Sequence, residues 1–225
     1  MLEPCLLIYS GGLDSTVMLA WLISKGYKPT PMRFDYGSTH SAQEERAVCR
    51  ALGFYVNMGK IEPLFQSSIS AMKDFKSALL RSSDNIPEGH YHEEDMRKTV
   101  VPFRNGIMIA LAVGLAVSRG IGEVYIATHA GDHYIYPDCR PDFNANMSYA
   151  VRAGTGDEVQ IHFPFQDYTK ADIVGLGLAL LVPFQYTWTC YKGGEKPCGK
   201  CGSCRERLEA FEINGAVDPL EYEEA

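Results

Sequence analysis

The sequence predicts an α/β fold, a parallel sheet with helices on both faces, and three features lead there. Short apolar runs without alternation, CLLIY at residues 5–9 and EVYIATH at 123–129, suit strands buried on both sides. Segments with helical periodicity separate these runs, the βαβ signature of a parallel sheet. With 225 residues, 46% hydrophobic and 22% charged, the chain is long enough for one core without staples.

The elements follow in order. The run at 5–9 ends in Ser10-Gly11-Gly12, and LDSTVMLAWLISKG comes next, where Val17, Leu19, Ala20, Leu22 and Ile23 suit a mostly buried helix. PTPMRFDYG at 29–37 reads as a strand, and SAQEERAVCRALG at 41–53 as an amphipathic helix closed by Gly53. Between 61 and 99 the pattern weakens to a helix over about 64–80 and a polar stretch, RSSDNIPEGHYHEEDMRK, of the kind that forms lids or binding loops. A buried helix at 103–120 and the strand at 123–129 restore it; GDHYIYPDCRPDF, with two prolines, is then a structured loop past the strand end. A helix at 144–153, a strand at 159–163 and a helix at 170–181 complete the body. No repeat, low-complexity tract or linker interrupts it, so the expected division is an α/β domain at 1–185 and a metal-binding C-terminal segment at 186–225 packed on it.

Charge narrows the functions. Twenty-one Lys plus Arg against 28 Asp plus Glu give a net charge of −7, with acids thickening from Asp218 to Glu224, which disfavours stable nucleic-acid binding. The N-terminus MLEPCLLIYS has an acid where a secretion signal carries positive charge, and no stretch approaches the ~20 apolar residues of a membrane helix. The expected location is cytoplasmic, where cysteines stay reduced unless metal-bound.

SGGLDST, Ser10 to Thr16, stands between a strand and a helix. Glycine lets the backbone approach a ligand, and the helix start presents unpaired N–H groups at the positive end of its dipole, a cradle for pyrophosphate. Tyr9, Ser10, Gly11, Gly12, Leu13, Asp14, Ser15 and Thr16 form the expected nucleotide site, with Asp14 either capping the helix or holding Mg²⁺ on the phosphates. Gly194 to Cys201, GEKPCGKC, imitates a Walker loop, but a cysteine replaces the hydroxyl residue and no strand precedes it.

Those cysteines have a better use. Cys190-x7-Cys198-x2-Cys201-x2-Cys204 offers four thiolates, with Gly199 and Gly202 supplying tight turns. Four soft ligands in a reducing compartment suit a closed, structural Zn²⁺ site, with an iron–sulfur cluster as the alternative. Of the six histidines, His40, His90, His92 and His162 read as satisfied polar residues, whereas His129, Asp132 and His133 lie just past a strand end and are candidate general bases. Arg104 in VPFRN and Arg140 in YPDCRPDF could grip phosphate or carboxylate. Lys170, in YTKADI, opens a helix, where spacing alone gives a surface lysine.

SGGLDST together with TWTCYKGGEKPCGKCGSC resembles the 7-cyano-7-deazaguanine synthases of the queuosine pathway, members of the PP-loop ATP-pyrophosphatase superfamily. The resemblance extends through FDYG with His40-Ser41, VPFRN, HAGDHYIYPDCRPDF and TKADI, and covers Cys5 to about Phe211. Ser38-Thr39 stand where the family usually has Gln-Arg, and Phe103 where it has a small or polar residue.

The resemblance implies a Rossmann-like fold of the adenine nucleotide alpha hydrolase type, a bound zinc and a homodimer. It further implies ligation of 7-carboxy-7-deazaguanine with ammonia, driven by ATP, to the nitrile. ATP with Mg²⁺ would adenylate the carboxylate and then the amide, with pyrophosphate leaving on the Ser10–Thr16 cradle. Asp14, Asp132, His133, Arg104 and Lys170 form the expected catalytic set, Asp132 or His133 taking the proton from ammonium. Tyr136 would stack on the base, Asp138 or Asp142 accept from its donors, and Arg140 complete the substrate set. The rival is a relative that stops at the amide or adenylates another carboxylate. A tRNA-acting enzyme would need a basic module, and a glutamine amidotransferase a second domain.

Overall fold

In the computed structural model, which describes residues 2–56, 58–90 and 94–223, the first apolar run becomes strand β1 (Glu3–Ile8). Leu6 and Ile8 enter the core on one face of the sheet, and Cys5 and Leu7 the core on the other. Beside it run β2 (Tyr27–Asp35), β3 (Phe65–Ser68), β4 (Glu123–Tyr125) and β5 (Gln160–His162), all parallel, in the order β3-β2-β1-β4-β5. Chain order therefore reverses direction between β1 and β4, and in such sheets the crevice beyond the strand ends at that point receives the ligand.

Helices α1 (Leu13–Ser24), α2 (Ser41–Val56), α5 (Lys170–Ala179) and α6 (Gly202–Ile213) share one face, where Leu7, Val17, Val48, Ile173 and Phe211 meet. Helices α3 (Arg104–Arg119) and α4 (Pro141–Thr155) cover the other, packing Ile109, Ala112 and Val151 on Leu6 and Ile8. Each such fully buried aliphatic chain contributes roughly 1.5–3 kcal/mol relative to exposure.

Two prolines in β2 are accommodated by its geometry. Met32 turns its carbonyl towards β1, accepting from Tyr9 N–H at 2.9 Å, while the Pro29 carbonyl turns outward to Glu62 N–H at 2.9 Å. Pro29 and Pro31 thus face away from β1, and β3 pairs only from Met32 to Asp35, so neither missing N–H breaks a ladder.

The expected helix at 64–80 is not there. Its first residues form β3, whose burial alternates along FQSS, and 3₁₀ turns at Ser70–Asp74 and Ala78–Leu80 follow. A period-2 signal four residues long is lost in a helix-length window, and the open side of Met32–Asp35 takes the strand. The helix after the two-proline loop begins at Pro141, earlier than the periodicity indicates, with proline in its first turn. The strand at 123–129 is shorter, Glu123–Tyr125. Helix α6 went unread, because its buried face holds Cys204, Arg207, Ala210 and Phe211, too mixed a set for an apolar stripe. His92 lies outside the described residues.

Asp95–Arg119 is long and apolar enough by length and composition to span a membrane, a run the sequence reading did not find. Its apolar residues Met108, Ile109, Ala112 and Ala116 are core residues of α3. The C-terminal segment is anchored by Arg207, 1% exposed, which donates to Asp218 at 2.7 and 2.9 Å and to Thr187 at 2.7 Å.

Candidate active site and metal centre

The phosphate cradle sits where β1 ends. Gly11 has φ +77, and a Cβ there would lie 2.8 Å from the Val48 side chain and from its backbone N, so both the conformation and the space call for glycine. Gly12 caps α1 without a side-chain bond, which leaves the N–H groups of the first turn available to an anion. Ser10 Oγ accepts from Gly12 N–H at 3.1 Å and meets Ser15 Oγ at 3.2 Å. Thr16 is fully buried and donates to the Gly12 carbonyl at 2.8 Å, with the Tyr9 hydroxyl 3.1 Å from its Oγ1. Thr16 and Tyr9 thus brace the loop, while Ser10, Gly12, Leu13, Asp14 and Ser15 line the cavity above it, about 190 Å³ in volume.

A buried charge cluster faces the cradle. Lys170 Nζ lies 2.8 Å from both oxygens of Asp14 and 3.4 Å from Glu206. Burial alone would raise the Asp14 pKa, but Lys170 and then His129 outweigh it and hold the carboxyl below its ordinary value. Burial would lower that of Lys170; Asp14 and Glu206 outweigh it and push the ammonium's pKa upward. Lys170, which spacing alone placed on the surface, is 8% exposed.

Past β4, His129 is buried, its Nδ1 3.1 Å from Gly131 N and its Nε2 3.5 Å from Asp132 Oδ2. Asp14, Asp132 and Glu206 thus surround a single ammonium. That surplus of carboxylate oxygen suits a hard divalent cation such as Mg²⁺ beside bound phosphates.

The far end of the cavity is aromatic. Arg104, at the start of α3, donates to the Tyr36 hydroxyl at 3.3 Å and has no ion pair among the described residues. A half-buried guanidinium without a carboxylate partner is suited to a bound anion. Tyr36, Tyr191 and Trp188 are walls here, with His40 and Glu44, whose side chains approach to 3.4 Å.

Several expected site residues stand elsewhere. Tyr136 is buried behind the wall, its hydroxyl 2.9 Å from Thr99 and 3.3 Å from Tyr191. Asp138 accepts Asn105 N–H at 2.8 Å and so caps α3. Arg140 and Asp142 are exposed and outside the cavity walls, and Arg140 donates to the His133 carbonyl at 2.9 Å. His133 is not a wall either; its Nε2 is buried with no hydrogen-bond partner among the described residues. Two 3₁₀ turns, Ala130–Tyr134 and Pro137–Cys139, direct His129 and Asp132 inward and Arg140 outward, a choice that spacing does not encode.

Sequence reasoning missed Tyr36, Glu44, Tyr191, Trp188 and Glu206 as walls and took His40 for a satisfied polar residue. The one available signal was His40 followed a helical turn later by Glu44 at a strand end. The two departures are accommodated: Thr39 Oγ1 donates to the Tyr191 carbonyl at 3.0 Å, and Phe103, at φ 54, lies edge-on to Phe143 with ring centroids 5.8 Å apart.

The sulfur atoms of Cys190, Cys198, Cys201 and Cys204 lie within 4.8 Å of one another, and all four residues are buried. Backbone N–H groups of Cys198 and Cys201 donate to sulfur at 3.4 and 3.3 Å, the environment of a ligated thiolate, so the donor set fits a metal ion. The centre is joined to the cavity. Trp188 N–H donates to the Gly11 carbonyl at 3.1 Å and its indole to the Cys190 carbonyl at 2.7 Å, while Ser203 and Glu206 of α6 are walls.

The sequence model described as "Queuosine biosynthesis protein QueC" matches residues 4–215. Proteins named 7-cyano-7-deazaguanine synthase are similar throughout. That of Pseudoalteromonas translucida (strain TAC 125) is 43% identical, covering 99% of this chain and 100% of its own. Those of Desulfotalea psychrophila (strain LSv54 / DSM 12343), 45% identical over 96% and 97%, and Porphyromonas gingivalis (strain ATCC 33277), 46% identical over 98% and 98%, agree. Matched from residue 4 to 215 and carrying the Gly11–Gly12 cradle, a paired Asp14–Lys170 and a four-cysteine centre, this chain belongs to the QueC family of queuosine biosynthesis proteins.

Proposed function

We propose that this chain converts 7-carboxy-7-deazaguanine and ammonia to 7-cyano-7-deazaguanine with ATP. The observation that carries the reading is one cavity lined both by a phosphate cradle and by the guanidinium of Arg104, which has no ion pair among the described residues, a combination suited to ATP and an anionic co-substrate.

A carboxylate is a poor electrophile. Its oxygen attacks the α-phosphorus of ATP, and pyrophosphate departs onto the first turn of α1 and Lys170; Asp14 would hold Mg²⁺, which would supply charge compensation for the phosphates. Ammonium, drawn to the cavity's carboxylates, loses a proton to Asp132 and attacks the acyl-adenylate; AMP leaves and the amide forms. A second ATP adenylates the amide oxygen. The amide nitrogen gives up both its protons as AMP leaves the carbon, and the nitrile forms; AMP is attached to an oxygen of that same carbon in each step, so one site serves both halves.

Zinc on the four cysteines belongs to this reading. A closed tetrahedral thiolate site supplies no open position, so its part is to fix Trp188, Tyr191 and Glu206 as walls. A cytoplasmic location and a homodimer complete it. Phe103, which precedes α3, and Leu111 and Val117 on it are exposed apolar side chains available for association, which light scattering on the purified protein tests.

The decisive experiment is mass spectrometry of products from purified protein given 7-carboxy-7-deazaguanine, ammonium and Mg-ATP, with AMP counted. Nitrile with about two AMP per product, the stoichiometry of oxygen activation at both steps, supports the reading. Amide as end product would assign the chain to a relative that halts halfway, and no turnover would direct attention to another carboxylate.

A further inference from the structure

The pocket has four carboxylates, Asp14, Glu44, Asp132 and Glu206, and three are committed around the phosphate cradle. Asp14 and Glu206 pair with Lys170, and Asp132 faces His129 within its own turn. Glu44 stands apart. It lies on the first turn of α2, its side chain is 15% exposed, and it has no Lys or Arg partner among the described residues. Its ionic neighbour is the imidazole of His40, 3.4 Å away, itself 4% exposed and held against Tyr191 with ring centroids 5.3 Å apart.

Glu44 and Arg104 both act on the Tyr36 phenol. Arg104 donates to its hydroxyl, and of the charges felt there after burial, Arg104 and Glu44 come first, with opposite signs. Tyr36, Arg104 and Glu44 line the same cavity, so its aromatic part presents both a guanidinium and a carboxylate. A flat heterocycle with an anionic substituent and a separate row of N–H donors matches that pair, whereas the cation and carboxylates at the phosphate end are paired with one another. Asp138 and Asp142 are unavailable as acceptors, the first capping α3 and the second outside the cavity.

We infer that Glu44, oriented by His40, is the specificity-determining acceptor for the ring N–H and exocyclic amino group of a 2-aminopyrimidinone base, with Arg104 on the substituent side. The inference rests on the deazaguanine reading above and adds to it how the guanine-like edge is recognised. A carboxylate accepting two adjacent N–H donors forms charge-assisted bonds that a neutral acceptor forms only in part.

The test compares wild-type protein on 7-carboxy-7-deazaguanine and on the analogue lacking the 2-amino group, then repeats both with Glu44→Gln. Wild type should lose about 10- to 100-fold in kcat/KM on the analogue, chiefly through KM. Glu44→Gln should lose a similar factor on the parent, lose little more on the analogue, and keep the KM for ATP. His40→Gln, a positioning change, should raise the KM for the base without lowering kcat. The wild-type comparison needs no variant to fold. Equal use of both bases by wild type, or a Glu44→Gln protein that keeps the full preference for the amino group, would overturn the inference while leaving the reaction intact. Failure of wild type to convert the parent would instead remove the deazaguanine reading and this inference with it.

Discussion

Lys170 Nζ lies 2.8 Å from both carboxylate oxygens of Asp14, although 156 positions separate the two residues in the chain. The contact ties the start of α5 to the first turn of α1, directly beneath the phosphate cradle. Removing one partner of a buried pair leaves the other charge uncompensated, at a cost of about 3–5 kcal/mol. Lys170→Met should therefore lower the melting temperature sharply, and Asp14→Asn added to it should restore part of the loss while pyrophosphate release stays absent from all variants. Strictly additive stability changes would show that the pair is not coupled.

The same pair sets a pH window. The Asp14 pKa is lowered in the fold, so its contribution is present above the unfolded value of about 3.9 and is lost as pH falls through the lower folded value. That of Lys170 is raised, so its contribution is present below about 10.4 and is lost as pH rises through the higher folded value. Urea midpoints of wild type and the double variant should differ by a constant amount between about pH 4 and 10 and converge outside that range.

Gly11→Ala tests the cradle. The new methyl would meet Val48 at 2.8 Å with the backbone already at φ +77. A loss of about 1–3 kcal/mol in chemical denaturation is expected from the backbone strain, with weakened ATP binding by titration calorimetry. Unchanged stability and affinity would mean that the loop has another conformation in solution.

Arg104 has no ion pair among the described residues, so its replacement should cost ligand rather than fold. Arg104→Met should raise the KM for the carboxylate substrate about 10- to 100-fold, and Arg104→Lys should recover only a part, because an ammonium lacks the planar fork. Steady-state kinetics with ATP saturating separates this from an effect on the nucleotide.

Metal removal should act on the cavity as well as on stability. Elemental analysis should find one zinc per chain, and chelation should change the fluorescence of Trp188, whose indole bonds the Cys190 carbonyl, together with loss of ATP binding. Restoring zinc should return both signals. Loss of the metal with fluorescence and ATP binding intact would make the centre a remote staple.

The sequence by itself determined the elements whose signal is contiguous. CLLIY and EVYIATH, buried on both faces, declared a parallel sheet, SGGLDST placed the cradle at a strand end, and four closely spaced cysteines declared the metal centre. Strand β3 was illegible because four alternating residues carry no weight until the open edge of β2 takes them. Only the tertiary structure decided which side chains line the cavity. Lys170, in the expected catalytic set by resemblance but a surface lysine by spacing, is buried against Asp14, Glu206 came in on a helix whose position follows from Cys201 and Cys204, and Glu44 joined Arg104 and Tyr36 among the walls. Asp138, Asp142 and Arg140, equally eligible by residue type, were turned to a helix cap or to solvent. The physical reason is that the site lies at the switch point between β1 and β4, so its walls come from segments far apart in the chain. Which side of a loop turns inward there is set by how those segments pack, not by the spacing of letters.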